Sequence, residues 1–310
     1  MFNIAERRYL YFLISALVII PGIAAMIYST VTYGSPVRLS IDFTGGSLYE
    51  VQFTDTASEA AIRDVYQNYG QDDPIIQQLG AASDNRWQIR AGDLTTDQQS
   101  QLKTELAAQV APIDDTRSSF DVVDPSIGGE VTTAAILAVV AAAVVILAFI
   151  WIAFRRVPHA IRYGASAIAA MIHDVLVTMG MMSILGIVLG WEVDALFLTA
   201  MLTVVAFSIQ DTIVIFDRIR ENLPKYRSES FETVVNRSVL ETIHRSLATQ
   251  LNAVFVMIAI LLFGGPTIKQ FIAILLIGLM SGTYSSIFNA VPILVVWEKG
   301  EIPFLRRAQA

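Results

Sequence analysis

Six stretches of about twenty mostly apolar residues constrain this chain more than any other feature, because each can cross the ~30 Å hydrocarbon core of a bilayer. They run from Tyr9 to Tyr28, Thr132 to Phe154, Gly164 to Leu189, Ala195 to Phe216, Ser246 to Phe263 and Gln270 to Trp297. The composition agrees: 54% of the residues are hydrophobic and 16% charged, against about 25% charged in a soluble domain. One water-soluble core has no room for that surplus. The first stretch carries the basic flank Arg7–Arg8 of a signal peptide. Its apolar run continues past Ala24–Ala25 through Met26, Ile27 and Tyr28, too long for a cleaved leader, so an uncleaved anchor is expected.

Lysine and arginine placement sets the expected orientation. With the N-terminus inside, the inside segments hold 14 of the 21 basic residues, from Arg7, Arg8, Arg155, Arg156 and Arg162 to Lys299, Arg306 and Arg307. The short loops agree, with Arg155–Arg156 inside and Glu192 and Asp194 outside. Both termini are therefore expected in the cytoplasm. The chain divides into an N-terminus with first span (1–30), an exported domain (31–131), a five-helix bundle (132–297) and a cytoplasmic tail (298–310).

The exported segment holds six basic and sixteen acidic residues, a net negative charge that favours solubility. Alternation in Leu48-Tyr49-Glu50-Val51-Gln52-Phe53 predicts a strand within Leu39 to Phe53. Helical spacing of Ala61, Ile62, Val65 and Tyr69 predicts a helix over Ser58 to Tyr69. Two short strands follow, Ile75 to Leu79 and Arg86 to Arg90. A second helix spans Thr95 to Val110, with Thr96 as its cap, and Ser119 to Val123 closes the domain as a strand. The order βαββαβ is that of a ferredoxin-like split unit. Asp42-Phe43-Thr44-Gly45-Gly46 predicts either a bulge or a turn where two backbones come close.

Ionisable residues inside the spans carry the functional signal, since each costs about 2.5–3.5 kcal/mol to insert. Asp174 lies in the third span, preceded by His173. Asp211 lies in the fourth, within Phe207-Ser208-Ile209-Gln210-Asp211-Thr212, and Ser208 shares its face. Arg245 opens the fifth, with Thr249 and Asn252 on the same face. An acidic and a basic stripe would turn toward each other, although Arg245 is terminal enough to snorkel to the interface instead. A membrane carboxyl that is paired or protonated by turns is what a proton relay requires. His173 is either a proton shuttle or a hydrogen-bonding partner of Asp174.

Gly186/Gly190 and Gly278/Gly282 have small-xxx-small spacing and read as helix packing. Asp217 to Glu221, and the stretch bearing Phe231, Val234, Val235 and Val239, read as connectors at the membrane surface. Other classes are disfavoured. Cysteine is absent, which excludes a disulfide framework, a thiol nucleophile and a Cys-ligated metal. The three histidines, His159, His173 and His244, are scattered, so no metal site is expected. A net charge of −7 argues against nucleic acid as a partner. Neither a phosphate loop nor a nucleophile elbow is present, and neither enzymatic activity nor a soluble cofactor is expected.

Four motifs in register resemble the SecD/SecF family of bacterial protein-export subunits, within the resistance-nodulation-division superfamily. They are Asp42-Phe43-Thr44-Gly45-Gly46, His173-Asp174-Val175, the run from Asp211 to Asn222, and Phe263-Gly264-Gly265-Pro266. The resemblance is to the SecF side of that family. It implies an α-helical polytopic protein of six transmembrane helices, with a small α+β ferredoxin-like domain outside, in the bacterial plasma membrane. It further implies a SecD-like partner, the SecYEG channel and a translocating unfolded polypeptide as interacting partners. The transmembrane proton or sodium gradient would be the energy source. Asp211 and Arg245 would belong to the ion path, with Asp174 in support and His173, Ser208, Gln210, Thr249 and Asn252 as polar neighbours. One departure stands out: where that family usually reads Gly-Tyr-Ser-Ile-Asn, this chain has Ala206-Phe207-Ser208-Ile209-Gln210. The alternative is a proton-driven exporter of lipids or small hydrophobic molecules. Such exporters usually hold two six-span repeats in one chain, and this chain has one.

Overall fold

The computed structural model describes residues 6–71, 74–80, 82–155 and 159–300. Arg156, Arg306, Arg307 and the tail from 301 onward lie outside the described residues. In chain order the elements are α1 (Arg8–Tyr33), a single turn α2 (Ile41–Thr44), β1 (Gly46–Gln52), α3 (Glu59–Asn68), β2 (Ile75–Leu79), β3 (Arg86–Ala91), α4 (Thr96–Gln109) and β4 (Ser119–Val123). Then follow α5 (Pro125–Phe154), α6 (Ala160–Leu189), α7 (Ala195–Asn222), α8 (Phe231–Phe263), α9 (Pro266–Ser285), a π-turn over Ser286–Ala290, and α10 (Val291–Glu298). Two compact units result: Leu39–Leu137, and the rest of the chain on either side of it.

In the Leu39–Leu137 unit a four-stranded antiparallel sheet has the order β2-β3-β1-β4. The alternation of β1 decides its two faces. Tyr49, Val51 and, just beyond, Phe53 are buried against Ile62, Val65 and Tyr66 of α3 and Leu102 and Leu106 of α4. Glu50 on the other face pairs with Arg86 of β3 at 2.7 Å. Ser58 caps α3 by accepting from the Ala61 amide. Thr95, not Thr96, caps α4. Gln98 stands three residues after Thr95, so the two close a reciprocal capping box. The Asp42–Gly46 motif forms the single turn α2, then two glycines at φ 72° and 109°. A Cβ on Gly46 would lie 2.7 Å from the Ala91 carbonyl oxygen, so the two backbones do come close there.

Among the described residues of the other unit, five helical stretches are long and apolar enough to cross a membrane: α1, α6, α7, α8 and the run Ile268–Glu298. The expected second span falls within α5, several of whose side chains lie outside the described residues. Leu13, Leu17, Phe255 and Leu262 are exposed on α1 and α8, a large apolar surface that suits lipid and not water. Inside, Phe154, Tyr163 and Phe216 stack or meet edge to face with centroids 5.3–6.1 Å apart.

Two close approaches set the packing. Gly22 of α1 faces Gly180 of α6, where a Cβ on Gly180 would come within 2.7 Å of the Gly22 Cα. Gly278 and Gly282 bring α9 onto Val204 and Ser208 of α7, as their spacing predicts. Gly190 ends α6 in the left-handed conformation.

Two readings of the connectors change. The stretch from Phe231 is not a separate surface helix but the first half of α8, whose 33 residues span about 50 Å, beyond the apolar thickness. The Asp217–Asn222 run likewise continues α7 and clasps α8. Arg218 and the Asn222 amide both donate to Glu241, at 2.5 and 2.9 Å, and Asn222 also donates to Ser238 at 3.0 Å. In the last span, Pro292 has no N–H for the Phe288 carbonyl, and the π-turn over Ser286–Ala290 absorbs the misfit.

Candidate functional site: two buried carboxylates

The membrane unit buries Asp174 and Asp211 in different surroundings. Asp174 of α6 is inaccessible to solvent, and donors surround it. Ser208 of α7 and Ser285 of α9 donate to its Oδ2 at 2.5 and 2.6 Å. Ser281 of α9 meets Oδ1 at 2.7 Å, and His173 Nδ1 lies 3.0 Å from the same oxygen. Four contacts occupy roughly the four lone-pair sites of an ionised carboxylate. The close seating of Gly282 on Ser208 carries Ser281 and Ser285 to that distance. Three helices therefore converge on one carboxyl group.

Asp211 of α7 is also buried. Among the described residues its hydrogen-bond partner is the Gln250 amide of α8, which donates to Oδ2 at 2.5 Å. A neutral amide, and not a cation, meets this carboxylate. The expected pairing of Asp211 with Arg245 is not the one the structure has. Arg245, Thr249 and Asn252 are exposed, and the Thr249 hydroxyl donates to the Arg245 carbonyl of its own helix. The reason is helical phase. The buried column of α8 runs Val235, Val239, Thr242, Ser246, Gln250, and Arg245 stands about 140° around the helix from Gln250. Opposite charge suggested the pairing; burial of a less polar column overrode it.

Ser208 also differs from expectation. It lies one turn before Asp211 but serves Asp174, while Thr212 donates to the Ser208 carbonyl. Gln210 is exposed, beside a groove along α7 that Thr199, Thr203, Ala206 and Phe207 also line. Sequence reasoning missed Ser281, Ser285 and Gln250. The four-residue spacing of the two serines, and Thr242-Ser246-Gln250 at the same period, were the signals available.

Two units, one holding an antiparallel sheet and the other a bundle with polar groups buried inside its apolar helices, fit the class of multi-pass membrane proteins. Residues 102–300 match the protein export membrane protein SecD/SecF, C-terminal, family, and residues 32–57 match the SecD/SecF GG motif. The protein translocase subunit SecF of Anaerolinea thermophila is 46% identical, over 97% of this chain and 96% of its own. That of Thermobaculum terrenum is 41% identical, over 99% and 96%. The crystal structure of SecDF from Thermus thermophilus, a translocon-associated membrane protein, superposes with a TM-score of 0.78 at 28% identity. That match covers 96% of this chain and 39% of that longer one. The chain belongs to the SecF family of protein translocase subunits.

Proposed function

We propose that this chain works with a SecD-like subunit beside a SecYEG-type channel in the bacterial plasma membrane. There it uses an ion gradient to promote late translocation and release of polypeptides on the outer face. The observation that carries the ion coupling is Asp211, a carboxyl buried in the membrane unit whose partner is the neutral Gln250. Such a group can gain and lose a proton, or exchange it for sodium, without dismantling an ion pair. One charge crossing 100 mV releases about 2.3 kcal/mol, and a few charges per cycle suffice to bias a conformational equilibrium.

The element order β1-α3-β2-β3-α4-β4 and sheet order β2-β3-β1-β4 support a ferredoxin-like outer domain. The length of α5 (Pro125–Phe154) supports it as the sixth span. Both termini then lie in the cytoplasm, with no enzymatic step and no cofactor. Arg245, Thr249, Asn252 and Gln210 are exposed from the bundle, where a SecD-like partner would meet them.

The test is ion flux and preprotein release in vesicles holding this chain with its SecD-like partner. Asp211→Asn is expected to abolish both. Release at the wild-type rate would overturn the reading.

A further inference from the structure

His173 completes the Asp174 cluster in a way that the ion path through Asp211 does not use. Three serine hydroxyls donate to Asp174, and a carboxylate that accepts from all three takes the Nδ1 facing it at 3.0 Å as its fourth donor, which assigns the proton of the neutral ring to Nδ1. That assignment leaves the lone pair of the neutral ring on Nε2. The Nε2 atom is buried and has no hydrogen-bond partner among the described residues. A buried acceptor without a donor is costly, and so is a buried carboxylate with no cation beside it. A single proton on Nε2 answers the second cost: it sets an imidazolium against the anion, and Nε2 changes from acceptor to donor.

The surroundings confine the proton to that atom. Three serine hydroxyls already fill the other contacts of Asp174, so protonating the carboxyl would require one of them to turn away. The Tyr284 ring stacks on the imidazole with centroids 6.2 Å apart, and its hydroxyl is committed to the Tyr11 carbonyl of α1 at 2.8 Å. Ser15 of α1 and Asn289 of the π-turn bond each other. From α7 the polar neighbour is Ser208, with Asp211 one turn further on. Among the described residues, Asp174 and Tyr284 are the titratable side chains that meet His173. The His173 side chain is 10% exposed.

We propose that His173 and Asp174 form a second proton-binding site, distinct from Asp211, in which Nε2 of His173 takes the proton and Asp174 stays an anion. The site joins α6 to α7 and α9 through the serines and lies against the π-turn. Loading it changes its net charge from −1 to zero at the junction of three helices. Its use in export rests on the function proposed above; its existence does not.

The test is nitrogen-15 NMR of selectively labelled histidine in the full chain with its SecD-like partner in nanodiscs, between pH 5 and 9. His173→Asn, which keeps a donor for Asp174, assigns the signal against His159 and His244. Nε2 of His173 is expected to gain a proton within that range. Asp174→Asn should weaken its proton affinity about tenfold or more, as expected for loss of an opposite charge within 4 Å. Ser285→Ala should strengthen it, because the imidazolium then faces an anion with one donor fewer. A His173 neutral throughout, or an affinity moved by neither variant, would overturn the proposal. Asp211→Asn should leave the titration in place while ion flux fails, which separates this site from the ion path.

Discussion

Asp174 and Asp211 sit in neighbouring helices of one bundle, and the chain treats them as opposites. Four donors from three helices hold Asp174, whereas one neutral amide meets Asp211. Four contacts from three helices make the first carboxyl a structural element. The sparse second site holds the carboxyl proposed above to change state. The difference teaches that the cost of a buried charge does not mark function by itself; the number of donors spent on it separates an anchor from a switch.

Breaking the anchor should produce the largest effect. Asp174→Leu would strand three hydroxyls and an imidazole, at about 1–3 kcal/mol each. The expected outcome is a loss of several kcal/mol in detergent unfolding, or no folded protein at all. Asp211→Leu should cost far less, about 1–3 kcal/mol for one stranded amide, and still abolish ion-driven release. Equal losses of stability would erase the contrast between the two sites.

Gly282→Ala sharpens it from the packing side. The added Cβ would lie 3.1–3.2 Å from Ser208 Cβ and Cα, pushing α9 off α7 at a cost of about 1–3 kcal/mol. The Asp174 cluster should loosen while the Asp211–Gln250 contact between α7 and α8 persists. Solvent exchange of the serine hydroxyls and of the Gln250 amide would read the two separately. Gln250→Leu should do the reverse: stability falls by about 1 kcal/mol, and the pH dependence of ion flux changes because Asp211 loses its amide.

The Leu39–Leu137 unit supplies the smallest effect at neutral pH. Burial, with the Asp115 charge adding to it, pushes the Tyr49 hydroxyl up to about 12. The folded state therefore keeps this proton when the unfolded chain releases it near pH 10. Stability from Tyr49 is fully present below pH 10 and is lost as the pH rises toward 12, by about 2–3 kcal/mol in all. Tyr49→Phe should remove that alkaline loss and change little at pH 7, as the hydroxyl has no hydrogen-bond partner among the described residues. Tyrosinate absorbance and unfolding curves of the full chain would show it.

The Leu39–Leu137 unit was the more legible in sequence. Alternation in β1 and the spacing of Ile62, Val65, Leu102 and Leu106 place its strands and helices, because one face of each meets water and polarity tracks burial. In lipid that correlation fails. Asp174 and Asp211 were conspicuous through their cost, but apart from His173 beside Asp174 their partners were not. Ser281, Ser285 and Gln250 carry no charge and blend into any apolar helix. Arg245 attracted attention by its sign while its phase on α8 pointed elsewhere. The Gly22–Gly180 contact was hidden for a different reason: it joins helices distant in sequence, so neither glycine sits in a local pattern.

Infrared difference spectroscopy of the full chain with its SecD-like partner tests the contrast most directly, by following the protonated-carboxyl band as pH changes. A reversible band is expected that Asp211→Asn removes and Asp174→Asn leaves in place. A band that survives Asp211→Asn and vanishes with Asp174→Asn would reverse the two roles and contradict the assignment of Asp211 as the ion-carrying group.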